Sequence, residues 1–205
     1  MNNNNNNNPS GYADHSRKAF QGAQLVHVPV VHNPDAESFQ RYGRYVVHDM
    51  NKLRENVYTT VEGAEIAHGE FVVRRDGESI RAKNNGIKAD EYTTGLAVEE
   101  EAVEEKFLTR EVNKHPTSEQ LFAPLEGQPF ALLLAASDIP TEKLRAEDLR
   151  LFKFDGSRSV TINVDTWHQP PYGYGRFYTA QAASHECECV DFLDRDNVAL
   201  VLDLS

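Results

Sequence analysis

Two short segments of the chain combine residues that can exchange protons with residues that can bind a small polar molecule. The first, NKHPTSEQLFAP, contains Lys114, His115 and Gln120. The second, DTWHQPP, places the only tryptophan, Trp167, directly before His168. Because a histidine with its ordinary pKa of about 6.5 can take or give a proton at neutral pH, two such residues suit general acid–base catalysis.

The polar neighbours of the two histidines indicate how a substrate would be held. A lysine such as Lys114 can bind a carboxylate, and an amide such as Gln120 or Asn163 can donate to a carbonyl oxygen without carrying charge. A proline ends each histidine block, and strand ends at the rim of a β-barrel are accessible to ligands. The structural alternative is that Trp167 and His168 simply plug a barrel end.

The elements that must position these residues are predicted to be mostly strands. Residues 1–22, which include an asparagine run, are predicted to be a disordered low-complexity tail, and residues 23–205 a single domain. Short apolar, β-branched or aromatic segments separated by Gly, Pro or Asp predict many strands. NPDAESFQRYG predicts a helix capped by Asp35 and stopped at Gly43, and TEKLRAED a second short helix. Many short strands with few helices indicate a β-barrel or sandwich.

The composition excludes several classes of partner. The chain has 32 acidic and 21 basic residues and a formal charge of −11, so it would repel nucleic-acid phosphates and anionic lipids. The sequence has no apolar stretch of bilayer-spanning length and no signal-peptide core, which predicts a soluble, cytoplasmic protein. A glycine-rich phosphate loop and a Gly-x-Ser-x-Gly elbow are both missing, which argues against nucleotide enzymes and serine hydrolases.

The two cysteines, Cys187 and Cys189, occur together in the segment HECEC. With His185 they suggest a metal site, but the distant second ligand pair of a structural zinc site is missing. The simpler interpretation is a pair of reduced thiols on a strand in a reducing compartment.

The histidine blocks resemble those of the ureidoglycolate lyase family, small cupin-type enzymes of allantoin catabolism. KHPTSEQLFAP is similar to the family pattern Arg-His-Pro-x-x-x-Gln-x-Phe-x-Pro, and DTWHQP to Gly-Thr-Trp-His-x-Pro. The upstream segments NNG and EYTTGLA are similar to Asn-Asn-Gly and Arg-Tyr-His-Asp-Leu-Ala, and the blocks keep the family order. The resemblance covers Leu25 to Leu204 and implies a mainly β, cupin-like double-stranded β-helix or β-barrel with a few short helices.

The resemblance also implies a reaction, in which (S)-ureidoglycolate is split into glyoxylate and urea. His115 and His168 would be the catalytic residues, one as base, with the other or a bound water as acid. Cupin barrels often hold a divalent metal on histidines, but the closely spaced His-x-His set is missing here, so a metal stays unassigned. A homodimer with a small anionic substrate is expected. The implied substrate-binding residues are Lys114, Gln120, Asn85, Tyr92, Asn163 and Trp167.

Departures from the family pattern keep other functions open. Lys114 replaces an arginine, Glu91 and Thr93 replace an arginine and a histidine, and Asp165 replaces a glycine. Two added acids would weaken binding of a glyoxylate-type anion. The chain could therefore act on another small carboxylate or carbonyl compound, or be a non-catalytic ligand-binding cupin, because fold alone does not determine function.

Overall fold

We analysed a computed structural model of the chain. For the described residues between 65 and 99, and for residues 175, 176, 178 and 180–182, only the strand pairing is described. The predicted mainly β fold is confirmed. The residues that the structure describes are 18–46, 65–68, 71–76, 79–84, 89–99, 106–117, 119–124, 127–173, 175–182 and 187–205.

The described strands are short, as the closely spaced turn residues predict. Helical structure is limited to α1 (Ala36–Phe39), one 3-10 turn (Ala146–Asp148) and α2 (Phe192–Asp196) in the described part of the chain. The strands are β1 (Gln24–His27), β2 (Val30–His32), β3 (Gly43–Val46), β4 (Glu65–His68), β5 (Phe71–Asp76), β6 (Ser79–Asn84), β7 (Ala89–Glu99), β8 (Lys106–Thr109), β9 (Glu111–Lys114), β10 (Gln120–Pro124), β11 (Phe130–Ala135), β12 (Arg150–Phe154), β13 (Ser159–Ile162), β14 (Trp167–His168), β15 (Gly175–Ala182), β16 (Glu188–Asp191) and β17 (Val198–Asp203).

These strands form three sheets and, within the described residues, no closed barrel. The eight-stranded sheet has the order β3-β13-β10-β15-β7-β6-β5-β4, and the six-stranded sheet the order β16-β9-β14-β11-β12-β2. A three-stranded sheet, β1-β17-β8, completes the set. In the six-stranded sheet β14 lies between β9 and β11, so the DTWH segment pairs directly with the strand that leads into His115.

Two separate hydrophobic cores lie on the two faces of the six-stranded sheet. The inner core, which includes Phe122, Leu134 and Phe177, packs that sheet against the eight-stranded sheet. The outer core, which includes Ala135 and Leu200, packs its other face against the three-stranded sheet and α2. Since neighbouring residues of a strand face opposite sides, Leu134 and Ala135 belong to different cores.

The helix predicted after Asp35 is present but shorter than expected. The Asp35 side chain accepts from the Ser38 backbone N–H at 2.8 Å, which confirms the N-cap. The helix ends at Phe39, and Gly43 begins β3 rather than terminating the helix. A Cβ at Gly43 would lie 2.2 Å from the Thr161 carbonyl oxygen, so close strand approach is what requires glycine here.

Two other predicted boundaries differ from the structure. The predicted tail ends at residue 22, but residues 18–22 form a turn in which Phe20 is buried; residues 1–17 lie outside the described residues. TEKLRAED forms a turn followed by the 3-10 helix rather than an α-helix. No helix in the described ranges has the length and apolar character needed to cross a membrane.

Candidate functional site

Strand alternation sends the two residues of the Trp-His pair to opposite faces of the six-stranded sheet. On β14, Trp167 is opposite Ala135 and packs in the outer core. His168 is opposite Leu134 and faces the inner core, where its ring centroid is 6.4 Å from that of Phe122. The buried indole and the histidine ring therefore lie on opposite sides of a single strand.

His168 is held as a neutral imidazole with a defined tautomer. Its exposed fraction is 3%, and Nδ1 lies 2.9 Å from the Thr166 carbonyl oxygen. Because a carbonyl can only accept, Nδ1 carries the proton and Nε2 presents its lone pair. Burial lowers the pKa of His168 to about 4; the Thr166 hydrogen bond opposes this shift and the nearby His115 adds to it.

His115 follows directly after β9 and approaches His168 from the neighbouring strand end. The two ring centroids are 5.1 Å apart, with an angle of 56° between the ring planes. The backbone carbonyl of His115 accepts from the Asp165 N–H at 3.1 Å, which ties the loop after β9 to the turn before β14. The structure thus brings together the two residues that the sequence predicts to be catalytic.

Two amide side chains lie on the same sheet faces as this histidine pair. Asn113 is directly opposite His168, so both side chains leave the six-stranded sheet on the inner side. Gln120 begins β10 two residues before Phe122 and opposite Ile162, both in the inner core. The carbonyl oxygens Oδ1 of Asn113 and Oε1 of Gln120 are buried and accept no hydrogen bond from any residue that the structure describes.

Lys114 lies on the opposite face from His168, because it alternates with Asn113. Its exposed fraction is 8%, and its ammonium is 4.8 Å from the centre of the Trp167 ring. Two carboxylates accompany it: Nζ is 3.4 Å from Glu188 and 3.8 Å from Asp165. These contacts describe a cation shared between two acids over an aromatic face.

Trp167 has no exposed surface, and its indole N–H donates to the Ile139 carbonyl at 3.0 Å. Trp167 thus packs in the outer core, whereas the sequence predicts that it forms a wall of the substrate pocket. Asn163 is equally committed elsewhere, since its side-chain nitrogen lies 3.1 Å from the Gln40 carbonyl and 3.4 Å from that of Arg41. That amide fastens the chain leaving α1 to the turn before β14.

Two predicted substrate-binding residues cannot be placed by their side chains. Tyr92 lies on β7, where its backbone pairs with Ala182 and Ala82, and only this pairing is described. Asn85 lies outside the described residues.

The donor set does not form a metal site in the part of the chain that the structure describes. No group of three or more His, Cys, Asp or Glu side chains in these ranges could hold an ion, and the Nδ1 of His168 is already committed to Thr166. Cys187 and Cys189 are free cysteines on or next to β16, and both residues are solvent-exposed. Partial desolvation of the Cys189 sulfur, followed by the nearby Glu111 carboxylate, raises the pKa of this thiol to about 11. The described residues therefore provide no metal ligand set, and the raised pKa of the Cys189 thiol does not favour a thiolate.

Sequence reasoning overlooked Asn113, although a local signal was available. Residues i and i+2 of a strand share a face, so a strand ending at Lys114 that sends His115 inward also sends Asn113 inward. The same rule separates Lys114 from His115 and Trp167 from His168.

Comparison with known proteins identifies relatives of the chain. A family model described as ureidoglycolate lyase matches residues 30–198. The ureidoglycolate lyase of Azotobacter vinelandii is 34% identical over 61 residues, which cover 30% of this chain and 35% of the relative. That of Salmonella enteritidis PT4 is 28% identical over 67 residues, or 33% of this chain and 40% of the relative. The matched segment spans little more than a third of the length of each of these curated relatives.

Proposed function

The chain belongs to the ureidoglycolate lyase family, and we propose that it releases glyoxylate and urea from (S)-ureidoglycolate, as a step of allantoin breakdown. The observation that carries this proposal is the 5.1 Å approach of the His115 and His168 rings. Two imidazoles at this separation can contact adjacent atoms of one small substrate, which is what a reaction with two proton transfers requires.

The proposed reaction needs only acid–base chemistry. Ureidoglycolate carries a hydroxyl group and a ureido nitrogen on the same carbon. Removal of the hydroxyl proton forms the C=O bond of glyoxylate as the C–N bond breaks, and the bond electrons leave with the nitrogen. Protonation of that nitrogen gives urea, so atoms and charge balance without an added reactant.

The state of His168 supports a division of labour between the two histidines. A group with a pKa of about 4 is unprotonated at neutral pH and cannot be the acid. Its free Nε2 suits acceptance of the hydroxyl proton, while the Thr166 carbonyl stabilises the charge that develops on the ring. We therefore assign His168 as the base and His115 as the proton donor to the departing nitrogen.

The surroundings of Asp165 keep its carboxylate from repelling an anionic substrate. An acid in place of the family glycine would repel an anionic substrate if it faced the pocket. Its carboxylate instead lies 3.8 Å from Lys114, whose ammonium packs over Trp167 in the outer core. Its negative charge is thus offset on the face of the sheet opposite His168.

The test is glyoxylate release from (S)-ureidoglycolate by the purified full chain, compared with His115→Ala and His168→Ala. General acid–base groups contribute about 10²–10⁴-fold to rate, so we expect either variant to lose at least about 100-fold in kcat. The matched control is His32→Ala, since His32 is exposed and remote in the sequence from both blocks. No turnover by the wild-type protein would overturn the proposed reaction.

A second candidate function is favoured by the position of Lys114. If this residue holds Glu188 and Asp165 instead of a substrate carboxylate, the site would lack the anchor that the family resemblance implies. The chain would then act on a different small carboxylate or carbonyl compound with the same histidine pair. Tight binding of such a compound, without turnover of ureidoglycolate, would support this alternative.

We also keep the homodimer as a proposal, since sheet edges need cover. Sedimentation at micromolar protein concentration tests it, and a monomer would contradict it.

A further inference from the structure

Two buried amide oxygens lie on the sheet faces that carry the histidine pair, and neither has a hydrogen-bond partner among the described residues. These oxygens are Oδ1 of Asn113 and Oε1 of Gln120. They come from different sheets. Asn113 is opposite His168 on β9, and Gln120 begins β10, two residues before Phe122 and on the same face of that strand. The ring of Phe122 in turn lies 6.4 Å from that of His168. The two oxygens therefore border the same space between the sheets.

A buried acceptor without a partner is costly, because folding removes its water and supplies nothing in return. Such atoms are rare in native proteins, and a bound ligand is one way in which they are satisfied. An incoming ligand would satisfy these two oxygens only if it brought hydrogen-bond donors. A carboxylate, an aldehyde or an ester brings acceptors alone, so none of these groups suits this position.

We propose that Asn113 and Gln120 recognise the ureido group by accepting hydrogen bonds from its two nitrogens. This inference rests on the proposed function and names the specificity residues of the same site. It assigns Gln120 the role of acceptor toward N–H, where the sequence interpretation made it a donor to a carbonyl oxygen. It also gives Asn113, which no family motif quoted above includes, a part in substrate selection.

The inference is tested with two unreactive ligands that differ at one end. Ureidoacetate has the carboxylate and the ureido group but no hydroxyl, so it cannot undergo the lyase reaction. N-acetylglycine has the same skeleton with a methyl group in place of the terminal NH₂. A site that reads ureido N–H donors should bind ureidoacetate at least about tenfold more tightly by titration calorimetry, because the methyl ligand leaves a buried acceptor unpaired.

Variants then identify the residues responsible. Asn113→Leu and Gln120→Met keep approximate shape and remove the acceptor. The variant that loses the acceptor of the terminal NH₂ should reduce the affinity ratio of the two ligands to about threefold or less, and the other should weaken both ligands together. Asn113→Asp keeps an acceptor and should retain the preference while weakening both anionic ligands together. The matched control is Gln21→Met, an exposed amide changed in the same way, which should leave both affinities unchanged.

The outcomes separate this inference from the proposed function. Turnover of ureidoglycolate by the wild-type protein with equal binding of the two ligands overturns the inference and leaves the lyase proposal standing. A strong ureido preference without turnover supports recognition by Asn113 and Gln120 and overturns the lyase proposal. An unchanged ratio in folded Asn113→Leu and Gln120→Met also overturns the inference; if one variant fails to fold, the wild-type ratio and the other variant decide.

Discussion

The ring centroids of His115 and His168 lie 5.1 Å apart, although His115 follows β9 and His168 ends β14. The approach follows from the sheet order, which places β14 directly beside β9, and from the hydrogen bond between the Asp165 N–H and the His115 carbonyl. The backbone contact joins the two chain segments from which these side chains extend. The proposed chemistry depends on this juxtaposition.

The buried imidazole of His168 should make stability depend on pH. Its pKa is about 4 in the folded protein and about 6.5 in an unfolded chain. Above pH 6.5 the His168 imidazole is neutral in both the folded and the unfolded protein, so its protonation does not reduce the free energy of unfolding. As pH falls from 6.5 to 4, only the unfolded chain takes up the proton, so the free energy of unfolding should drop by about 3 kcal/mol from this residue.

Denaturant unfolding of the wild type and His168→Asn across this range measures that contribution. The asparagine amide can still donate to Thr166 but does not titrate, so the variant should lose less stability between pH 6.5 and 4. His32→Asn, at an exposed position, should follow the wild type. Equal pH dependence of wild type and His168→Asn would contradict the assigned burial.

Lys114→Met should lower stability with little effect on substrate affinity. The substitution leaves Glu188 and Asp165 without their shared cation, and because both acids are partly exposed we expect a loss of about 1 kcal/mol. KM for ureidoglycolate should change by less than about twofold. The control is Lys143→Met at an exposed position, which should change neither the stability nor KM. A KM increase of about tenfold or more in Lys114→Met would contradict this and indicate that Lys114 binds the substrate carboxylate.

Asp165 has a left-handed backbone conformation, with φ of 61°. Aspartate, asparagine and glycine tolerate this region, whereas a β-branched residue does not. Asp165→Gly and Asp165→Asn should therefore stay within about 1 kcal/mol of the wild type, and Asp165→Val should lose about 1–3 kcal/mol. Thermal or denaturant unfolding checks the order, and Asp165→Val as stable as Asp165→Gly would contradict it.

Trp167→Phe should destabilise the fold without entering the chemistry. The change removes the indole N–H and leaves the Ile139 carbonyl without that donor, which costs about 1–2 kcal/mol. Because Trp167 faces the outer core, kcat should stay within about threefold of the wild type. A loss of kcat comparable to that of His168→Ala would place the indole in the pocket after all.

The sequence predicts the mainly β fold, the Asp35 cap and the two histidine blocks because these depend on local rules. Short runs of β-branched and aromatic residues, the turn residues between them and a capping carboxylate all act within a few positions of each other. The sequence overestimates the length of α1, because Gly43 permits the close approach to Thr161 and does not end the helix. That approach involves β13, which is distant in the sequence.

The roles of Lys114 and Trp167 could not be predicted because they depend on register. Alternation requires that Lys114 and Trp167 face away from His115 and His168, but it does not say which member of each pair turns inward. The pairing of His168 with Leu134 and Asn113 decides this. Such pairing joins strands that are far apart in the chain, so no short motif contains it.

The central claim, that the two imidazoles act as one catalytic unit, is tested most directly by a double-mutant cycle on kcat for glyoxylate release. We measure His115→Asn, His168→Asn and the double variant against the wild type. Residues that act together are strongly non-additive, so the double variant should be no more than about threefold slower than the slower single variant. Effects that multiply in the double variant, or single variants within about threefold of the wild type, would contradict the account.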